Sequence, residues 1–305
     1  MAGTYRWVLL TAVFGVVAAF ACQAPAAEKI NVLIIDGQNN HKWQETTPPI
    51  KEMLLKTEKF NVDVLTSPGA KDPKEAWEKF RPDFSKYKVV LSNYTGTVWP
   101  DEVNKAFEKY VEEGGGLVVY HAAVFAFPKW EAWNKMIGMG WRDAGFGDRI
   151  SVDDTGKVVR TPKGEGPKSG HGPAHAFEMT VRDKDHPVMK LLPEKWTHVK
   201  DELYHGMRGP AQDLHILATA FSAKEGGGTG TNEPLVWTVP CGKGRVLVCL
   251  LGHDVPAVTA PDAAVILCRS AEWAATGAVT IPAPKDLSAP AAKPAAPAEK
   301  PATEK

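Results

Sequence analysis

Residues 88–121 read KVVLSNYTGTVWPDEVNKAFEKYVEEGGGLVVYH, and this stretch decides the fold. Residues 88–92 form a short apolar run typical of a buried strand. Pro100 then opens a segment whose apolar side chains keep the i, i+3, i+4, i+7 spacing of a helix. Three glycines end this helix, and residues 117–120 form a second apolar run that leads directly into His121. Two strands joined by a helix of this length predict parallel pairing with a right-handed crossover.

The same alternation of strand and helix extends towards the N-terminus. Residues 29–37, KINVLIIDG, predict a first strand that is buried on both faces. A helix is predicted from Thr47 onward, with Pro48 and Pro49 in its first turn, and residues 60–64 alternate as a second strand. The sequence therefore predicts an α/β protein with a doubly wound, mostly parallel sheet of the flavodoxin-like type.

The C-terminal half has a different pattern. Residues 138–175 are rich in glycine and turn formers and predict a long loop region or an elaborated insertion. Three alternating segments follow, which predict additional antiparallel strands at residues 177–181, 214–218 and 235–239. The predicted last strand and closing helix are residues 245–251 and 261–275.

The two ends of the chain predict segments outside the folded domain, which we expect to span residues 29–277. Residues 1–21, with Arg6 before an apolar run too short for a membrane span, are typical of a signal peptide, with cleavage as late as residue 26 as an alternative. We therefore expect a periplasmic or secreted protein without a transmembrane segment after cleavage. A lipid anchor at Cys22 is the less favoured alternative, because Ala stands where lipoprotein signals carry Leu. Residues 282–305 are almost wholly Ala, Pro, Lys and Glu and predict a disordered tail.

The charge balance restricts the partners. Lys and Arg together number 36, as do Asp and Glu, so the formal net charge is zero. This removes the broad electrostatic argument for a nucleic-acid or anionic membrane partner. We expect a small neutral ligand, and the oligomeric state is not indicated.

Candidate functional residues follow the predicted parallel strands, where ligands collect in open α/β sheets. His121 and His253 stand directly after two of the strands, and an imidazole there suits acid/base chemistry or metal binding. A lone histidine more often only hydrogen-bonds a loop carbonyl. Four further residues lie at such strand ends and are candidate ligand contacts: Asp36, His41, Asn93 and Tyr94.

Two other segments carry candidate groups. Residues 201–205, Asp-Glu-Leu-Tyr-His, concentrate groups that can bind a ligand or transfer a proton, although a charged surface is the usual fate of an Asp-Glu pair. His171 and His175 are four residues apart, but the intervening Gly and Pro make this a weak metal signal. Trp130, Trp133 and Trp141 suit stacking on a sugar ring, with core filling as the commoner use.

Several of these segments, in this order, resemble the trehalose-utilisation ThuA-like family. They are the strand ending in Asp36-Gly37, residues 110–123, residues 185–188, residues 201–204, residues 242–246 and residues 251–253. The resemblance implies a fold similar to the class I glutamine amidotransferases and a carbohydrate or keto-sugar ligand. Those enzymes carry a nucleophilic Cys at the position that His121-Ala122-Ala123 occupies here, so glutaminase activity is not expected.

Two hypotheses follow. The first is a sugar-modifying enzyme in which His121 and His253, supported by Asp201 and Glu202, act as acid/base groups or as ligands of a divalent metal such as zinc. The substrate would contact Trp141, Tyr204, His205 and the four strand-end residues Asp36, His41, Asn93 and Tyr94. The second is a non-catalytic sugar-binding or scaffold protein, which would explain the absent Cys. A structural envelope protein is a third possibility.

Overall fold

The computed structural model describes residues 28–285, together with Gly3 and Leu287. Apart from Gly3, the predicted signal peptide lies outside these residues, as do Cys22 and most of the predicted tail. None of the helices in the described part of the chain is long and apolar enough to span a bilayer.

Five parallel strands form one half of the sheet. In spatial order they are β2 (Phe60–Thr66), β1 (Ile30–Asp36), β3 (Val89–Ser92), β4 (Gly116–Tyr120) and β11 (Gly244–Cys249). The apolar runs of β1, β3, β4 and β11 are buried on both faces, which is why they lack a polar alternation in the sequence, whereas the edge strand β2 alternates. The predicted parallel strands are confirmed, and so is the doubly wound α/β class.

Helices cover both faces of this parallel half. Val32 and Ile34 of β1 pack in the same cluster as α1 (Trp43–Lys56) and α6 (Pro261–Thr276), whereas Leu33 and Ile35 pack with α3 (Asp101–Glu112) and α4 (Glu131–Ile137). Because successive strand side chains point to opposite faces, a single strand supports two cores. Two short helices, α2 (Lys74–Lys79) and α5 (Val255–Val258), lie on connections.

The remaining strands are antiparallel, so the complete sheet is mixed. Next to β11 follow β10 (Thr231–Cys241), β9 (His215–Ser222), β7 (His175–Val181) and β8 (Lys195–Asp201), which we call the wing. The three antiparallel strands predicted from alternation are confirmed. The wing also contains β8, a strand that was not predicted from the sequence.

One local prediction is incomplete and another was wrong. The insertion is not only loop, because β5 (Arg149–Val152) and β6 (Val158–Thr161) form an antiparallel hairpin whose first strand also pairs with β10. These strands are too short to show a periodicity. Helix α1 begins at Trp43, so Pro48 and Pro49 lie inside it. The carbonyls that thereby lose an N–H donor are those of Gln44 and Glu45, and both residues are exposed.

Candidate active site

Three imidazoles and one carboxylate meet at the carboxyl edge of the sheet. His41 follows β1, His121 follows β4, His253 follows β11, and Glu202 follows β8 of the wing. One side-chain N or O atom from each lies within 4.8 Å of the others, and we call these four residues the His–Glu cluster. The ring centroids of His121 and His253 are 5.8 Å apart. Residues more than two hundred positions apart in the chain therefore share one site.

His121 occupies a sharp turn between β4 and a 3-10 segment, and we call this turn the elbow. Its φ is +41°, in the left-handed region that non-glycine residues adopt at a cost. Nδ1 lies 2.6 Å from the Leu250 carbonyl oxygen and must donate to it, because a carbonyl only accepts. Nε2 thereby faces Glu202 and lies 3.7 Å from its Oε2.

His41 is held by a hydrogen-bonded loop. Its backbone N–H donates to Oδ1 of Asn39 at 2.8 Å, and Nδ2 of Asn39 donates to Oδ1 of Asn93 at 2.9 Å. The Asn93 amide also donates to Thr47 in α1 at 3.0 Å. Asn93 was predicted to contact the ligand, but the structure buries it behind His41, where it positions the loop.

The carboxylates of Asp201 and Glu202 have different roles, although the residues are adjacent. Glu202 points into the cleft, with Oε2 3.0 Å from Nδ1 of His253 and 3.4 Å from Nε2 of His41. Burial raises the pKa of Glu202, but the surrounding imidazoles outweigh this effect and hold the net pKa well below its usual range. Asp201 lies behind the cleft, where it accepts backbone N–H groups of Gly252 at 2.7 Å and His253 at 3.0 Å.

The His–Glu cluster fits a divalent metal ion. Three buried ring nitrogens, Nδ1 of His41, Nε2 of His121 and Nδ1 of His253, make no hydrogen bond of good geometry in the described chain, although the last two lie 3.7 and 3.0 Å from Oε2 of Glu202. A buried polar atom without a partner is costly, and such groups call for a ligand or an ion. Three imidazoles, or two with a carboxylate, are the donor sets of catalytic zinc sites. These four residues would therefore hold such an ion.

A cleft of about 720 Å³ opens over the cluster. Trp141 forms one wall and stacks on Phe125 with ring centroids 4.4 Å apart and an interplanar angle of 19°. Tyr204 lies beside it, 4.9 Å from the Trp141 ring, and His171 reaches in from the insertion with Nε2 3.6 Å from Oε1 of Glu202. Trp141 and His171 also line a second hollow of about 740 Å³, so the aromatic wall separates two depressions.

Besides Asn93, three predicted ligand contacts do not line this cleft. Asp36 is buried at the end of β1 and accepts a hydrogen bond from Thr66 at 2.7 Å. Tyr94 is buried in the core, and its hydroxyl donates to the Thr97 carbonyl at 2.6 Å. His205 is buried with Nδ1 3.1 Å from the Ser222 hydroxyl. These side chains have partners within the fold and are not available to a ligand.

Of the other histidine and tryptophan candidates, only some lie at the cleft. His175 is exposed on β7, where its Nδ1 contacts the Pro173 carbonyl at 2.9 Å, so it does not accompany His171 into the cleft. Trp133 is fully buried and Trp130 packs against it, so both fill the core, whereas Trp141 faces the cleft.

Arg142 and His198 were missed. The Arg142 guanidinium is buried and donates to the carbonyls of Val124, Phe125 and Ala126, which fixes the segment after the elbow. No sequence pattern marks it. His198 contacts Asp201 from β8, where Trp196 and His198 are both buried two positions apart. This alternation was the sequence signal that could have identified His198 as buried.

The fold and the site together define an α/β protein in which three imidazoles and a carboxylate meet at the sheet edge, and one of the imidazoles, His121, stands at the elbow. The family described as ThuA, trehalose utilisation, matches residues 31–274, and the chain belongs to this family. A ThuA-like protein from Parabacteroides merdae is 42% identical with a TM-score of 0.81, over 86% of this chain and 95% of that chain. A ThuA-like protein from Bacteroides uniformis is 18% identical with a TM-score of 0.56, over 84% and 98%, and shows the fold alone. Among curated proteins, none matches the chain.

Proposed function

We propose that this protein is a divalent-metal-dependent enzyme of sugar utilisation, which converts a hydroxyl-rich or keto-sugar in the cleft over the His–Glu cluster. One observation carries the proposal: one donor atom from each of His41, His121, Glu202 and His253 lies within 4.8 Å of the others, and Nε2 of His121 in this cluster is buried without a hydrogen bond. A bound divalent ion would supply Lewis-acid stabilisation of negative charge on a substrate oxygen.

The cleft walls support a carbohydrate as the ligand. Trp141 offers an aromatic surface, and polar side chains of Lys42, Glu45 and Asp254 stand around the opening. An apolar face edged by hydrogen-bonding groups matches a sugar ring, because the ring presents an apolar C–H face and hydroxyl groups around it. The zero net charge of the chain agrees with a neutral ligand, and the family description, trehalose utilisation, points to the same class.

His171 is the residue that we assign to proton transfer. Its Nδ1 donates to the Gly172 carbonyl at 2.7 Å, so Nε2 can act as the base of a neutral ring directed at the cleft. It is not one of the four cluster residues, so it is free to accept a proton from a sugar carbon beside a carbonyl group. Tyr204 and Trp141 each pack against this ring with centroids 5.8 Å away, and they orient it.

We also propose that the protein acts outside the cytoplasm. The support is the signal-like pattern of residues 1–21, with an apolar run after Arg6 and small residues before the cleavage position. N-terminal sequencing of protein recovered from the periplasm and the culture medium tests this. A chain that retains residues 1–26 in the cytoplasm contradicts it.

The test of the proposed function combines metal analysis with turnover. Purified protein should contain about one equivalent of a divalent metal, and removal of that metal with a chelator should abolish conversion of trehalose or its keto derivatives. Conversion should return when the metal is restored. Sugar binding without conversion by the metal-loaded protein would support the non-catalytic alternative. Failure of Zn²⁺, Mn²⁺ and Co²⁺ to bind in calorimetry would contradict the metal centre.

A further inference from the structure

A buried histidine links the wing to the parallel half of the sheet. His198 is 0% exposed, with Nδ1 2.7 Å from Oδ2 of Asp262 and Nε2 3.0 Å from Oδ2 of Asp201. An ionised carboxylate only accepts hydrogen bonds, so both ring nitrogens donate and the ring is an imidazolium. Trp196 donates its indole N–H to the same Asp262 oxygen at 2.6 Å. We call Asp262, His198 and Asp201 the carboxylate bridge.

Asp201 extends this bridge to the backbone of two cluster residues. Its Oδ1 accepts the N–H of Glu202 at 2.8 Å and the N–H of His253 at 3.0 Å, and its Oδ2 accepts the N–H of Gly252 at 2.7 Å. One carboxylate therefore fixes the chain at Glu202 and at His253, which are 51 positions apart in the sequence. Charge-assisted hydrogen bonds of this kind are about twice as strong as neutral ones.

The sheet itself does not fix this relationship. Among the described strands, β8 pairs with β7 alone, at the end of the sheet opposite β2, whereas β11 belongs to the parallel half. Asp262 stands in the first turn of α6, which packs on β11 and β4. The bridge therefore joins the end of the outermost wing strand to the segment that follows β11.

We propose that His198 is a positioning residue that sets the Glu202 carboxylate against the His253 imidazole, and through them the metal affinity of the His–Glu cluster. This inference rests on the metal centre of the proposed function. His198 contacts none of the four cluster side chains and acts through Asp201. Groups that orient metal ligands are typically worth 10- to 100-fold in metal affinity.

The test is the variant His198→Gln, which retains a side-chain donor but cannot span both carboxylates. We expect Zn²⁺ binding to weaken about 10- to 100-fold and the visible absorption spectrum of bound Co²⁺ to change. The backbone amides of Glu202 and His253 should exchange faster with D₂O in the metal-free variant. His186→Gln is the matched control, since it also removes a buried histidine, one that packs on Trp273. This control should keep the wild-type Co²⁺ spectrum and affinity.

Two results would overturn the inference. One is a folded His198→Gln variant with wild-type Zn²⁺ affinity, Co²⁺ spectrum and amide exchange. The other is a His198→Gln variant that loses stability but binds Zn²⁺ with wild-type affinity and shows the wild-type spectrum of bound Co²⁺. If the wild-type protein binds neither ion, the metal centre fails, and the amide exchange of Glu202 and His253 still shows whether His198 positions them.

Discussion

Oε2 of Glu202 lies 3.0 Å from Nδ1 of His253, although the two residues follow strands from different halves of the sheet. Glu202 continues the antiparallel strand β8, and His253 follows the parallel strand β11. The parallel half supplies the three imidazoles of the cluster and the wing supplies the carboxylate. A site built in this way depends on how the wing is held against the parallel half.

Glu202→Gln should weaken Zn²⁺ binding by at least about tenfold. The amide has nearly the same shape but carries no negative charge, so it is a poorer partner for a divalent cation. Calorimetry with Zn²⁺ measures the change. Glu178→Gln is the control, because Glu178 pairs with Lys195 on the surface of the wing. Equal Zn²⁺ affinity in the two variants would show that Glu202 is not a ligand.

His121→Ala and His121→Gly should both abolish metal-dependent turnover but should differ in stability. The φ of +41° disfavours Ala and not Gly, so the Gly variant should have a free energy of unfolding higher by about 1 kcal/mol. Urea denaturation of the metal-free variants measures this difference. An Ala variant as stable as the Gly variant would show that the backbone at the elbow is not strained.

Trp141→Ala should weaken sugar binding about tenfold while the metal content stays unchanged. The indole forms the aromatic wall of the cleft and has no contact with the metal-binding nitrogens in our assignment. Calorimetry with trehalose and its keto derivatives, together with metal analysis, separates the two effects. Phe221→Ala removes an exposed aromatic ring from the wing and should change neither. A Trp141→Ala variant with unchanged affinity for every sugar bound by the wild type would exclude the stacking role.

The carboxylate bridge predicts a loss of stability at alkaline pH. Burial lowers the pKa of His198, but the Asp201 and Asp262 carboxylates outweigh it and raise the pKa from 6.5 to about 9. The stabilisation is therefore complete below the unfolded-state pKa near 6.5 and is lost as pH rises through about 9. Its upper bound is about 3 kcal/mol. Urea denaturation between pH 6 and pH 10 should show a steeper decline for wild type than for His198→Gln, and parallel declines would contradict the bridge.

Arg142→Lys should lower the free energy of unfolding by at least about 3 kcal/mol. Lysine cannot reach the carbonyls of residues 124–126 together, and each buried acceptor left without a donor costs about 1–3 kcal/mol. Arg160→Lys, an exposed pair with Asp148, is the control and should change stability little. Denaturation midpoints of the three proteins provide the comparison.

The parallel half of the fold was predictable because its strands are encoded locally. A strand buried on both faces needs a continuous apolar run, as in residues 32–35, and the runs end where the chain turns out of the sheet. His121 and His253 follow such runs directly, so their position at one edge could be inferred from the order of strands alone. The start of α1 was predicted wrongly because Pro48 and Pro49 were expected only in the first turn of the helix. Proline is tolerated further inside a helix where the residues four positions earlier are exposed, and that exposure depends on the folded structure.

The sequence by itself determined the α/β class, the parallel strands, and the edge at which His121 and His253 stand, because these follow from hydrophobic pattern and strand order. Only the tertiary structure decided that Glu202 completes the cluster while Asp201 turns away, that Asn93 supports a loop, and that Asp36, Tyr94 and His205 are enclosed. The physical reason is that a side chain's role depends on which partners satisfy its polar atoms, and those partners come from distant segments. The bridge through His198 is the clearest case, since its two carboxylates meet only after the wing has folded back against α6.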